Sequence, residues 1–170
     1  SKDEILRRYP LELKQAIDPA TSSLVRYALT QVIEKGTGKS LKDTFNEFPV
    51  AGKTGTSDNN RDSWFVGFGK NRLGAIWVGR DDNLPTGLTG SSGAMRVWSD
   101  LMQFSGLEPL AFEKPPGIIY RTVNKNAGKL VPDGCPNAYF LPFHEATNVP
   151  SSKSCLGNSV YFEKTHQRSL

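Results

Sequence analysis

Lys53-Thr54-Gly55-Thr56 is the stretch of this 170-residue chain whose residue types could do chemistry. A lysine offers positive charge to a carboxylate. Two threonines in an i, i+2 relation offer hydroxyls to the same ligand. The glycine between them lets a ligand approach the backbone closely. A solvated lysine on an exposed strand is the plainer reading of the same four residues. Other tempting motifs fail on spacing. Gly38-Lys39-Ser40 and Gly52-Lys53-Thr54 would need glycines at positions 33 and 47 to complete a phosphate-binding loop, and these are Ile33 and Glu47. Gly67-Phe68-Gly69 leads into another strand, so no helix dipole is available for a dinucleotide. Cys135, His144, Cys155 and His166 contain no close ligand pair, so no metal site is expected.

The elements that must position these residues follow from periodicity. Tyr9, Leu11 and Leu13 alternate with polar residues and predict a strand. Asp18-Pro19 opens a helix, with Asp18 as cap and Pro19 in the first turn. Leu24/Val25, Ala28/Leu29 and Val32/Ile33 form its apolar stripe, and Gly36 is expected to end it in a left-handed conformation. Residues 37–49 read as an irregular connection. Val50–Ser57 is a strand, and residues 63–69 and 73–79 are two more, joined at Lys70-Asn71-Arg72 by a hairpin turn. Trp64, Val66 and Phe68 share one face of that hairpin with Leu73, Ala75 and Trp77. The glycines on the other face allow close packing. A helix from about Gly93 to Phe104, with Ala94, Val97, Trp98 and Leu101 on one side and Gly106 as its cap, supplies the packing partner. The sum is an α+β domain, an antiparallel sheet flanked by helices. We expect this domain to span residues 1–106. Residues 107–170 read as a Pro-rich extension: a strand over Ile118–Val123, a turn over 124–128, a cysteine loop and a polar tail from 157.

The net charge is +4 and the pI about 9.1, which would suit nucleic acid. The excess is spread thinly, with 8 basic and 7 acidic groups in residues 1–50, 6 and 5 in 51–106, and 7 and 5 in 107–170. Without a Lys/Arg run there is no electrostatic footprint for phosphates, so no nucleic-acid partner is expected. No apolar run approaches the roughly 18 residues that would span a bilayer. The chain opens Ser1-Lys2-Asp3-Glu4 without a signal-peptide pattern or an initiator Met, which suggests a piece of something longer. Cys135 and Cys155 are either two free thiols or a disulfide. Their polar, Pro-rich surroundings favour the disulfide, which would stabilise the fold by roughly 3 kcal/mol on the chain-entropy view.

A family resemblance emerges from these residues taken together. Val50–Ser57, followed by Asp62-Ser63-Trp64-Phe65-Val66-Gly67 and Trp77-Val78-Gly79-Arg80-Asp81, resembles the third active-site motif and following strands of penicillin-binding transpeptidases. Glu34-Lys35-Gly36-Thr37-Gly38 resembles the segment before that motif, and Ser92–Met95 through Leu101-Met102 their C-terminal helix. Asn126–Leu130 with Cys135, Phe143 and Cys155 is similar to the extension of class A penicillin-binding proteins, the bifunctional glycosyltransferase/transpeptidases of peptidoglycan synthesis, and within them to the 1b type of Gram-negative bacteria.

The resemblance implies the penicillin-binding transpeptidase/serine β-lactamase-like fold and a serine acyl transfer that cross-links stem peptides ending in D-Ala-D-Ala, inhibited by β-lactams. It implies Lys53 and Thr56 as catalytic residues. Lys53, Thr54, Gly55, Thr56 and Ser57 would bind substrate, with the Thr56 backbone N–H as an oxyanion donor. It implies no cofactor. The family uses S-x-x-K, S-x-N and K-T-G. No Ser here has a Lys three positions later, and Ser57-Asp58-Asn59 follows K-T-G-T where the family's second motif precedes it, so the match reads as coincidence. The nucleophile is therefore expected upstream of residue 1, and the isolated chain is expected to be inactive. The implied partners are stem peptides, β-lactams, the upstream part of the same protein, and cell-wall synthesis proteins or an activating lipoprotein. The implied location is the periplasmic face of the inner membrane, anchored from upstream. Competing readings are a D,D-carboxypeptidase, a β-lactamase or β-lactam receptor with the same wall, and a non-catalytic domain that binds cell-wall peptides.

Overall fold

A computed structural model describes residues 14–45, 48–111 and 114–155. The strand expected at Tyr9–Leu13 and the tail from 157 lie outside these residues. Helix α1 (Pro19–Lys35) begins as its sequence dictates: the Asp18 carboxylate accepts from the Thr21 N–H at 2.9 Å and Pro19 fills the first turn. Its end differs from expectation. Gly36 is extended (φ −105°, ψ −153°), not left-handed, and the N–H groups of Gly36 and Gly38 both donate to the Val32 carbonyl. A Cβ on Gly36 would lie 2.8 Å from that oxygen, so close approach, not positive φ, demands the glycine. The expected apolar stripe is only partly used. Ile33 is buried with Ala20 and Thr30, whereas Val25 is 53% exposed. The expected irregular connection holds a short helix α2 (Ser40–Thr44), because burying Leu41 stabilises a single turn too short to show periodicity.

Strands β1 (Ala51–Thr56), β2 (Ser63–Phe68) and β3 (Leu73–Val78) form an antiparallel sheet in that order. Thr56 stands opposite Ser63, and Gly67 opposite both Gly52 and Gly74. Helix α3 (Ala94–Ser105) lies across this glycine row: a Cβ on Gly67 would come within 2.8 Å of the Trp98 ring, and one on Gly74 within 2.4 Å of Met102. Trp98 and Phe65 are both 0% exposed and meet edge to face at 5.1 Å. Ile33, Leu41, Val50 and Met95 complete the core. Gly106 ends α3 at φ 71°, the left-handed cap its sequence suggests. The buried side of α3 is only partly the expected one: Ala94 and Trp98 are buried as expected, Val97 and Leu101 are not. Ala94, Met95, Trp98, Ser99 and Met102 face inward, while Val97 and Leu101 are half exposed. The glycine trough accepts the Trp98 ring and the residues flanking it, which rotates the neighbouring stripe toward solvent.

The extension forms a second, two-stranded antiparallel sheet of β4 (Ile118–Asn124) and β5 (Ala138–His144). β4 matches expectation. β5 was not expected, because Pro142 interrupts it and its polarity does not alternate. In a two-stranded sheet both strands are edges, where a missing N–H is tolerated. The Asn124 side chain accepts from the N–H groups of Asn126 and Ala127 and shapes the turn after β4. Cys135 and Cys155 are joined, with Cα atoms 5.4 Å apart. The Lys35 ammonium, at the end of α1, sits 4.8 Å from the Tyr139 ring centre of β5 and links the two sheets' regions.

Candidate active-site wall

β1 has no strand on its outer side among the described residues. Which of its backbone groups face that open side follows from the ladder. The Ser57 N–H donates to the Asp62 carbonyl, so 57 and 62 are a bonded pair. Bonded and non-bonded pairs alternate in an antiparallel ladder. Residues 55 and 53 therefore also turn their backbone groups toward β2. Residues 54 and 56 turn theirs outward, which leaves the Thr56 N–H and the Thr54 carbonyl on the free edge.

The side chains divide between the faces. Lys53 and Gly55 stand opposite Val66 and Trp64, on the exposed face; Thr54 and Thr56 stand opposite Phe65 and Ser63, on the face that α3 covers. Alternation alone would keep the lysine apart from the hydroxyls. The Lys53 side chain instead reaches the edge between the two faces, where its ammonium donates to the outward-facing Thr54 carbonyl at 2.7 Å. Two of its three N–H donors find no acceptor among the described residues.

Each threonine is held from another part of the chain. Thr54 Oγ1 is 2.7 Å from Thr37 Oγ1, which lies just after α1. Thr56 Oγ1 accepts from the Gly90 N–H at 2.9 Å. Its own hydroxyl proton has no acceptor among the described residues and is free to be donated. Gly55 is confined from below, since a Cβ there would lie 3.1 Å from the Trp64 side chain. Ser57 is engaged differently. Its hydroxyl donates to the Asp62 carboxylate and accepts the Asp62 N–H, both at 2.8 Å, closing the turn between β1 and β2. Ser57-Asp58-Asn59 belongs to this turn, in which Asn59 and Asn60 take positive φ. The other Asp62 oxygen accepts the Trp77 indole N–H at 2.9 Å, and these two side-chain bonds, the indole's first, hold the carboxyl below its ordinary range.

Thr37, Gly90 and Asp62 were not singled out as site residues from sequence. They lie 17, 34 and 5 positions from the residues they hold, so only topology reveals the first two. A weak signal exists for Gly90: the run Thr89-Gly90-Ser91-Ser92-Gly93, small and polar, directly before a helix. Among the described residues no group of three or more His, Cys, Asp or Glu could hold a metal ion, and no helix is long and apolar enough to cross a membrane.

Residues 8–98 match the family described as the penicillin binding protein transpeptidase domain. The chain belongs to the penicillin-binding protein transpeptidase family. Within that family it is 43% identical, over 76% of its length, to Penicillin-binding protein 1B of Vibrio cholerae, and 36% identical, over 63%, to Penicillin-binding protein 1B of Escherichia coli. It is 32% identical over 84% of its length to Penicillin-binding protein 1A of Pseudomonas aeruginosa. The crystal structure of Penicillin-Binding Protein 1A from Haemophilus influenzae superposes with a TM-score of 0.70 at 26% identity, covering 82% of this chain and 22% of that one. The chain spans 17% of the Vibrio relative and 13% of the Escherichia one.

Proposed function

We propose that this chain supplies one wall of the active site of a class A peptidoglycan D,D-transpeptidase, and that the S-x-x-K serine comes from a part of the protein outside these 170 residues. In the proposed reaction that serine attacks the carbonyl between the last two residues of a stem peptide. The Oγ–C bond forms, the peptide C–N bond breaks, and the terminal D-Ala leaves after its amine takes a proton. The amine of a second stem peptide then displaces the serine and forms the cross-link. β-Lactams acylate the same serine and stay attached.

The observation that carries this proposal is the edge of β1, unpaired among the described residues: the Lys53 ammonium caps the Thr54 carbonyl there, the ladder turns the Thr56 N–H outward, and the Thr56 hydroxyl keeps its proton free while accepting from Gly90. Lys53 supplies positive potential for the substrate's terminal carboxylate, and Thr54 and Thr56 supply hydroxyls to it. The Thr56 N–H serves as one oxyanion donor, a contribution worth about 10²–10³ in rate for such groups. Gly55 keeps the approach clear. Ser57 bounds the site by fixing the turn. Residues 1–106 form part of the transpeptidase domain and 107–170 its disulfide-bearing extension. We take the full-length protein to carry a glycosyltransferase and a membrane anchor elsewhere, to work at the periplasmic face of the inner membrane, and to meet its cell-wall partners there.

Labelling with a fluorescent penicillin tests this. Lys53→Ala in the full-length protein is expected to slow acylation at least about tenfold, on the scale of lost transition-state contacts, with the melting temperature unchanged. Unaltered labelling kinetics reject the role of Lys53. The 170-residue chain alone is expected to take no label, and a covalent adduct on it rejects the external nucleophile.

A further inference from the structure

We propose that Gly90 is a positioning residue for Thr56: its backbone N–H aims the Thr56 hydroxyl proton at the substrate carboxylate, an inference that rests on the proposed transpeptidase function. A threonine hydroxyl can rotate, and its proton can point toward the protein or toward a ligand. When the Gly90 N–H occupies an Oγ1 lone pair at 2.9 Å, the proton cannot also point toward Gly90. It must point away, and no acceptor among the described residues competes for it. The hydroxyl is thus set as a donor before substrate arrives, so no reorientation is needed when the ligand binds.

Gly90 is built into this place from three sides. Any Cβ there would lie 2.7 Å from the carbonyl oxygens of Gly55 and Trp64 and 2.9 Å from the Gly55 nitrogen, so the loop can press against β1 only as glycine. Ahead of it, Thr86 anchors the loop by donating its N–H and hydroxyl to the Asn60 carbonyl at 2.8 and 2.7 Å. Beside it, the buried Ser63 hydroxyl donates to the Thr89 carbonyl at 2.7 Å and accepts the Ala94 N–H at 2.8 Å. The segment between β3 and α3 thereby reaches back across the sheet to a single hydroxyl of β1. Neither the spacing of the K-T-G-T motif nor its composition requires such a contact.

The test uses the full-length protein and two probes, benzylpenicillin and its methyl ester, in which the carboxylate is blocked. Thr56→Val removes the hydroxyl and is expected to slow acylation by benzylpenicillin about tenfold, the scale of one hydrogen bond to a charged group. The methyl ester is expected to change less than about twofold. Gly90→Ala forces the loop off β1 and is expected to reproduce both results. Thr86→Val adds no atom beside β1 and loosens the same loop; it is expected to give the same split at about threefold, and it carries the test alone if Gly90→Ala does not fold. The double variant Thr56→Val/Gly90→Ala is expected to be no slower than Thr56→Val, because both remove one contact. Equal losses on acid and ester in the loop variants would reveal a merely structural role and overturn the inference. So would normal benzylpenicillin kinetics in the loop variants while Thr56→Val is impaired. If Thr56→Val itself is silent, the carboxylate role in the proposed function is what fails, and Gly90 has nothing to aim.

Discussion

Two aromatic pairs at similar ring separations, one edge to face and one stacked, mark the two regions. Phe65 and Trp98 meet at 5.1 Å under the three-stranded sheet, and Tyr120 and Phe140 stack at 5.3 Å on the β4–β5 hairpin. The first pair is wholly buried, whereas Phe140 is 62% exposed. Ring contact is therefore not what distinguishes the regions. The three-stranded sheet removes apolar surface from water on the side α3 covers, and burial there supplies the stability. The hairpin does less of this: it buries Ile118 and Val123 but leaves Tyr139 and Phe140 exposed. It relies on its ladder, on the contact of Lys35 with Tyr139, and on the Cys135–Cys155 link. The wall that carries the site is built on the region held by burial.

The contrast can be broken most directly at Trp98. Trp98→Ala is expected to destabilise the three-stranded region by about 3–5 kcal/mol in denaturant titration, because it empties the glycine trough. A loss no larger than that of a hairpin aromatic would refute the role assigned to burial. Next in size is the cross-link. Replacing both cysteines by serine is expected to remove about 3 kcal/mol. Faster hydrogen exchange should be confined to β4 and β5, with the near-ultraviolet signal of Trp98 retained; equal loosening of α3 would mean that the two regions unfold as one unit. Phe140→Ala is expected to cost about 0.5–1.5 kcal/mol, the worth of an aromatic pair with little burial behind it.

The smallest effect is one of pH at the turn beside the site. The Asp62 carboxyl is held below its ordinary 3.8 by the bonds from Trp77 and Ser57. A depressed pKa in the fold means that its contribution is complete above the unfolded value and is lost as the pH falls through the lowered one. The Trp77 indole N–H resonance should therefore shift with a midpoint below 3.8. A midpoint at or above that value would show the bonds to be absent in solution.

Much of the fold was legible in the residues. Two aromatic- and glycine-containing apolar runs separated by Lys70-Asn71-Arg72 disclosed β2 and β3, and Gly106 disclosed the end of α3. What escaped depended on partners. Around Trp98, two apolar stripes on α3 are equally periodic, and only the glycine row of the sheet decides for Met95 and Met102 over Val97 and Leu101. α2 owes its existence to the burial of Leu41, and β5 to pairing that overrides Pro142. At the site, residue types pointed to Lys53, Thr54 and Thr56. They could not show that the lysine and the threonines start on opposite faces, or that Thr37 and Gly90 hold the hydroxyls.

The open edge of β1 has one more consequence, for how copies of the protein behave toward one another. Unpaired backbone groups along a strand are a template for a strand of any other chain, and soluble proteins discourage this with charge at the edge. The Lys53 ammonium lies over the Thr54 carbonyl, one of the acceptors such a pairing would use. A second chain arriving there would have to strip that bond and bring its own backbone against a fixed positive charge. Lys53 is thus placed to discourage strand pairing along the same edge that the proposed function gives to a substrate.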